Sequence, residues 1–405
     1  MQLTDLNNMT EHKIRIFYHP GFVAGILVII VIAISAQRLL LEPKSFEPGG
    51  IEYTNYNNFK IFKQSYFHLT EGKDLYQAYP AEHWDYYKYS PAFALLMAPL
   101  ALLPDSPGLT LWNLLNALVL FFALWSLGKL DNRKKLLVFA LVIIELITSL
   151  QNSQSNGLIA GLVIIAFNEM EKGRAHTASL FIVTTVFIKI FGIVALLLFV
   201  FYPRKLQSVL YTAGWVAVFF FLPLLVTSWP ELKMQYESWL HLLQNDHSAS
   251  TGLSVAGWLS TWFGVGNKNL QLATGAVLLL LPLIRLKFYK YDLFRLLYLS
   301  SVLVWMVIFN HKAESPTFVI AVSGVAIWFF MQKFKIENLV LLILVIFFTI
   351  LSPTDIFPAS FRSGFIQPCV LKAVPCILVW IKITIDLLFF RPGESKETKL
   401  ALEKS

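Results

Sequence analysis

Charge is what this chain has least of. Only 14% of its 405 residues are Asp, Glu, Lys or Arg, while 56% are hydrophobic, and mean hydropathy is +0.61. Soluble globular domains carry about one quarter charged residues, so that class is excluded. Cysteine is nearly missing as well. Cys369 and Cys376 are the two present, seven residues apart in a helical stretch. That spacing separates them by about 10 Å along a helix, beyond disulfide reach, so no disulfide scaffold is expected. The sequence has no HExxH, no paired CxxC and no Walker-type loop. No metal cage, phosphate-binding loop or cofactor can therefore be argued from motif. The net charge of +8 does not point to nucleic acid, because Lys and Arg gather at the ends of apolar runs.

What is abundant is apolar sequence in stretches of membrane-crossing length. A helix needs about 17–25 such residues to cross ~30 Å of hydrocarbon. Candidate spans are 21–41, 107–129, 136–150, 157–169, 175–188, 190–203, 207–227, 268–286, 293–310, 316–332, 338–352 and 370–390. The expectation is an all-α polytopic membrane bundle of about twelve helices. The first run is too long for a signal-peptide core and lacks a small-residue cleavage site, so it is read as a retained helix. Basic residues at alternate connections set the orientation. His12, Lys13 and Arg15 precede the first span. Lys129, Arg133, Lys134 and Lys135 follow the second, and Lys172 and Arg174 the fourth. Arg204 and Lys205, Arg285 to Arg295, then Lys333 and Lys335 mark further cytoplasmic turns, and Arg391 with the polar tail places the C-terminus inside too. Residues 175–203 could form one long helix, but a hairpin turning near Lys189 preserves the charge pattern and is preferred.

Two connections on the outer side are too long to be turns, roughly 42–106 and 228–267. The chain thus divides into a cytoplasmic start (1–20), a membrane module with the first outer loop (21–230), C-terminal membrane helices with the second (231–390) and a cytoplasmic tail (391–405). Phe59, Phe62, Tyr66 and Leu69 share one helical face in the first loop, and Leu232, Tyr236, Trp239 and Leu243 do so in the second. Both read as amphipathic surface helices. Pro91–Pro104 and Gly252–Gly264 are apolar but too short to span, and read as re-entrant or interfacial pieces.

Polar groups near the bilayer are costly and so are functional candidates. Glu82, His83 and Asp85 stand just before Pro91 in HWDYYKYSPAF (83–93) and could supply acid–base chemistry. Their aromatic neighbours could equally anchor the loop in headgroups. Lys88 suits a phosphate or snorkelling. QNSQSN (151–156) is longer than a tight turn requires and could bind sugar hydroxyls. Lys189 in FIKIFG suits a phosphate-linked lipid or a snorkelling turn. Asn310, His311, Lys312 and Glu314 in NHKAESP form another polar outer turn, and Asp246 and His247 add to the second loop.

In order and spacing, these segments resemble glycosyltransferase family 87, membrane enzymes of the GT-C class. NFKIFKQSYFHLTEGKDLY (58–76) and YKYSPAFALLMAPLALLP (87–104) carry the likeness through Gly72, Leu75, Tyr76, Tyr89, Pro91, Leu103 and Pro104. Gln154 and Asn156 match the family's Gln-x-Asn, and Lys189 matches a lysine in its I-K-x-x-G/P-like stretch. The resemblance, over at least residues 55–205, implies transfer of a hexose, mannose in characterised relatives, from a polyprenyl-phosphate carrier to a lipid or glycan acceptor on the outer face of the cell membrane. It implies an acid as general base, substrate contacts from Tyr89, Gln154, Asn156 and Lys189, and no nucleotide sugar or metal; Lys88, His311 and Lys312, read from their own polar segments, complete the expected substrate contacts. The family's acid aligns with Asn58, an amide, which accepts no proton at neutral pH. Asp85, with His83 and Glu82, is the expected replacement, and Asp74 the next. A glycolipid transporter or a non-catalytic glycolipid-binding relative remain the alternatives.

Overall fold

A computed structural model describes residues 18–45, 50–128, 130–246 and 251–392. His12, Lys13, Arg15, Lys129, His247 and the tail beyond 392 lie outside the described residues, as does the side chain of Asp246. The described chain is helical almost throughout. Its strands, Lys44–Ser45 and Glu52–Tyr53, form one short antiparallel pair.

Among the described residues, three helices are long and apolar enough to cross a membrane: Pro20–Leu40, Asp105–Trp125 and Lys205–Leu225. Shorter apolar helices run over Ala175–Ile188, Ile190–Phe201, Lys268–Ile284, Ser315–Met331 and Ile336–Leu351. Together these helices point to a membrane protein. The centre is formed by Asn156–Glu171, Asp292–Ile308 and Phe318–Met331, which are buried nearly all round. Such helices have no solvent or lipid stripe, which explains their even apolarity. Lys205–Phe221 is apolar yet mostly exposed, as expected for a lipid-facing helix at the rim. Close packing at the centre relies on small residues. A side-chain carbon at Gly161 would lie 2.9 Å from the Leu120 backbone nitrogen.

The hairpin expected near Lys189 is present. Lys189 is extended (φ −139, ψ 121), and the 3₁₀ helix Ile190–Phe201 folds back on Ala175–Ile188. Gly192 sits so near Thr185 that a side-chain carbon would come within 2.4 Å of its hydroxyl. The return leg ends at Tyr202, which donates to Glu171 at the other end of the bundle.

Both long connections lie at one end. The first contains helix Asn57–Thr70, whose buried face is Phe59, Ile61, Phe62, Ser65, His68 and Leu69. This face packs against Pro91–Leu96 and Ala98–Ala101, so the expected amphipathic helix exists and covers protein. The second contains Trp229–Asp246 and Val255–Phe263. Side chains of Trp229–Asp246 stitch the two connections together. Gln235 accepts from the Leu75 N–H (3.0 Å) and donates to the Lys73 carbonyl (2.7 Å), Ser238 donates to Asp74 (2.9 Å), and Trp239 donates to the Lys88 carbonyl (3.3 Å).

Candidate active site

The segment Tyr89-Ser90-Pro91 is held from several sides. Ser90 caps helix Pro91–Leu96, its hydroxyl accepting from the Phe93 N–H at 3.2 Å, while proline occupies the first turn. Both features favour a helix start there. The same hydroxyl donates to the Phe187 carbonyl at 2.6 Å. One small side chain thus starts a helix and ties it to the chain two residues before Lys189. Tyr76 donates to the Tyr89 carbonyl and Tyr87 to the Ser90 carbonyl, at 2.8 and 2.7 Å.

The turn 152–155 is fixed with equal care. Ser153 adopts a left-handed φ of 52°, and its carbonyl accepts from the Trp112 indole at 2.9 Å. Asn116 reaches across from its own helix to accept from the Leu158 N–H (3.0 Å), one of the donors a helix start leaves unmet. Asn156 donates to the Pro316 carbonyl at 3.0 Å. These bonds aim the carbonyl oxygens of Gln154 and Asn156 at one point, and the Lys189 ammonium occupies it. Lys189 Nζ lies 3.2 Å from Gln154 Oε1 and 2.8 Å from Asn156 Oδ1. It also lies over the rings of Tyr89 (5.8 Å) and Phe191 (5.9 Å), within cation–π range.

Neutral acceptors hold this cation. Among the described residues no carboxylate forms an ion pair with Lys189; Glu314 acts on it electrostatically from farther away. Lys189 stands at the turn, outside both helices. Loss of hydration lowers its ammonium to about 8, with Glu314 acting in the opposite sense. Tyr89 is pushed up, first by burial and then by the Glu314 carboxylate, so it remains a neutral donor. Lys189, Gln154, Asn156 and Tyr89, each singled out from sequence, therefore meet at one place. Glu314 joins them electrostatically, a role not assigned to it from sequence, where it was one polar residue of a turn.

The residues around Asp85 divide among different partners. Asp85 has a left-handed φ of 72° and is exposed, pairing with Lys88 at 3.0 Å and accepting from the Tyr86 N–H at 2.7 Å. Glu82 pairs with His68 (2.8 Å), and the buried His83 ring bonds the Asp85 carbonyl (3.0 Å). Burial lowers both histidines, with Glu82 opposing the effect at His68. Asp74 is tied into the connection by Tyr76, Gln77 and Ser238. Asn58 donates to the Asn152 carbonyl at 2.8 Å and tethers its helix to the 152–155 turn, while the neighbouring Asn57 clasps the backbone of Trp84. His311 lines a separate recess with Ser254, Ala256, Lys268, Gln271, Leu272 and Phe309. The Lys312 N–H bonds Asn310 at 3.0 Å.

Fold and site together define an apolar helix bundle with a polar centre built at its loop-bearing end. No curated protein matches the chain. Residues 87–353 match the model of glycosyltransferase family 87, more than half of the sequence, and the chain belongs to that family. Its class of activity is glycosyl transfer. The matched stretch includes Tyr89, Gln154, Asn156, Lys189, His311, Lys312 and Glu314. Asn58 and Asp85 precede it.

Proposed function

We propose that this protein transfers a hexose, mannose by likeness to its family, from a polyprenyl-phosphate carrier to a hydroxyl of a lipid or glycan. The observation that carries this reading is Lys189, a part-buried cation whose contacts are amide oxygens and aromatic faces. Charge left unneutralised beside a polar turn suits the phosphate of the carrier, whose negative charge grows as the sugar leaves. Gln154, Asn156 and Tyr89 offer amide and phenol groups for sugar hydroxyls, and the aromatic rings suit a sugar face.

The acceptor oxygen attacks the anomeric carbon as the bond from that carbon to the phosphate oxygen breaks. The electron pair leaves with polyprenyl phosphate, and the acceptor proton passes to a carboxylate. Asp85 is our choice of base, supported by its exposed side chain and its place in the connection that leads to Tyr89. Glu314 is the second choice, supported by its electrostatic reach to Lys189 and Tyr89. The chemistry takes place on the outer face of the cell membrane. In this reading twelve segments cross the bilayer and both termini are cytoplasmic. The alternation of basic turns supports it, as does the gathering of both long connections at one end.

The test is transfer from a labelled polyprenyl-phosphate sugar by purified protein in lipid nanodiscs. Wild type should be active and Asp85→Asn at least a hundredfold slower, with Glu314→Gln affected less. An inactive Glu314→Gln beside an active Asp85→Asn would move the base to Glu314. No transfer with any polyprenyl-phosphate hexose would favour a glycolipid transporter or a non-catalytic binding protein.

A further inference from the structure

We propose that His68, Glu82 and His83 form a binding site for a divalent zinc-type ion in the first long connection. Among the described residues, these are the one group of three His, Cys, Asp or Glu side chains close enough to hold a metal, with one donor atom of each within 4.8 Å of the others. His68 Nε2 and Glu82 Oε2 are already 2.8 Å apart. Tetrahedral zinc with bonds of about 2.0–2.1 Å spaces its donors roughly 3.4 Å apart, a separation that falls between the 2.8 Å His68–Glu82 contact and the 4.8 Å limit on the set. Two imidazoles and a carboxylate are donors that zinc prefers, and three protein ligands leave a fourth position for water.

The surroundings are arranged as metal sites require. Both histidines are 3% exposed, whereas the Glu82 side chain is 31% exposed, so the site is walled on the imidazole side and open on the carboxylate side. His83 Nδ1 lies 3.0 Å from the Asp85 carbonyl, which can only accept. The ring proton therefore sits on Nδ1 and the lone pair on Nε2, the outer-shell arrangement that orients zinc-binding histidines. The Tyr79 ring packs on His68 with centroids 3.9 Å apart. Lys73, a cation felt at His68, is engaged by Glu71 at 2.7 Å.

The ion would join the last turn of helix Asn57–Thr70 to the segment that runs through Asp85 to Pro91, closing the excursion 71–81 as a loop. It would be a clamp on the connection, apart from Lys189 and its amides, and it stands whether or not the protein transfers sugar.

The full-length protein, purified in detergent and stripped with a chelator, is titrated with cobalt(II). One equivalent should produce the visible bands of a four-coordinate ion, and zinc should displace it. His68→Ala and His83→Ala should abolish the bands, and Glu82→Gln, which can still hydrogen-bond His68, should weaken binding at least tenfold. At equal zinc concentration the thermal midpoint should rise more in wild type than in Glu82→Gln. His241→Ala, in the second connection, should bind as wild type does. Absence of four-coordinate bands in wild type, or bands that persist undiminished in both Glu82→Gln and His83→Ala, overturns the proposal.

Discussion

Two lysines in this molecule leave water and reach opposite arrangements. Lys372 is 4% exposed and lies 2.7 Å from Glu145, itself fully buried on helix Asn132–Gln151. Its Nζ also sits 5.2 Å from the centroid of the Phe318 ring, and its carbonyl accepts from Thr349. There the charge is answered inside the protein, and the pair joins the C-terminal segment to helix Asn132–Gln151. Lys189 is given amide oxygens instead. Amides supply hydrogen bonds without cancelling charge, so the field of Lys189 remains available to an anion. The same side chain meets a carboxylate in one place and neutral partners in the other, and the neutral partners are what the proposed phosphate contact requires.

That contrast can be broken at either lysine. The largest effect should come from Glu145→Ala, which strands a buried ammonium and should destabilise the fold by about 3–5 kcal/mol. Replacing the pair together, Glu145→Leu with Lys372→Met, should recover most of that loss. Thermal or denaturant unfolding in detergent reads both, and an unchanged midpoint in Glu145→Ala would remove the structural half of the comparison. Next is Lys189→Met. Transfer should fall by about 10²–10³-fold, the loss typical of deleting one group that stabilises developing negative charge. Stability should change less than in Glu145→Ala, by about 1.5–3 kcal/mol, the worth of a hydrogen bond to a charged group. Ser90→Ala should cost about 1 kcal/mol through the lost cap, together with a higher KM as Tyr89 loosens beside Lys189.

The smallest expected effect is on pH. Lys189 is lowered to about 8 by desolvation, so its charge is present below that value and lost as pH rises through it. kcat/KM, which follows the free enzyme, should halve near pH 8 and keep falling above it. Lys189→Arg, charged throughout this range, should show no such decline. A wild-type profile flat to pH 10 would count against a catalytic charge at this position.

Helices and connections were legible in the sequence because the information is local. Apolar runs and the basic residues between them mark where helices lie and reverse, and both long connections hold their amphipathic helices. The polar centre was legible in parts. Lys189, Gln154, Asn156 and Tyr89 each stood out as polar or aromatic groups beside apolar runs, but only folding brings position 154 to position 189. At 82–85 three polar residues within four positions turn to separate partners, His68, a backbone carbonyl and Lys88, which adjacency in the chain does not reveal. Ser90 went unnoticed because a serine before proline is ordinary; its second bond, to Phe187, is a tertiary fact. Glu145 and Lys372, 227 positions apart, carried no sequence signal as a pair. The His68, Glu82 and His83 group matches no metal motif, since its spacing reflects a loop excursion and not a helix or hairpin.

The most direct measurement is the affinity of labelled polyprenyl phosphate, without sugar, for wild type and Lys189→Met in nanodiscs at pH 7. If Lys189 reads the carrier's phosphate, the variant binds at least tenfold more weakly, while Lys189→Arg retains most of the affinity. Equal binding by wild type and Lys189→Met would contradict the account.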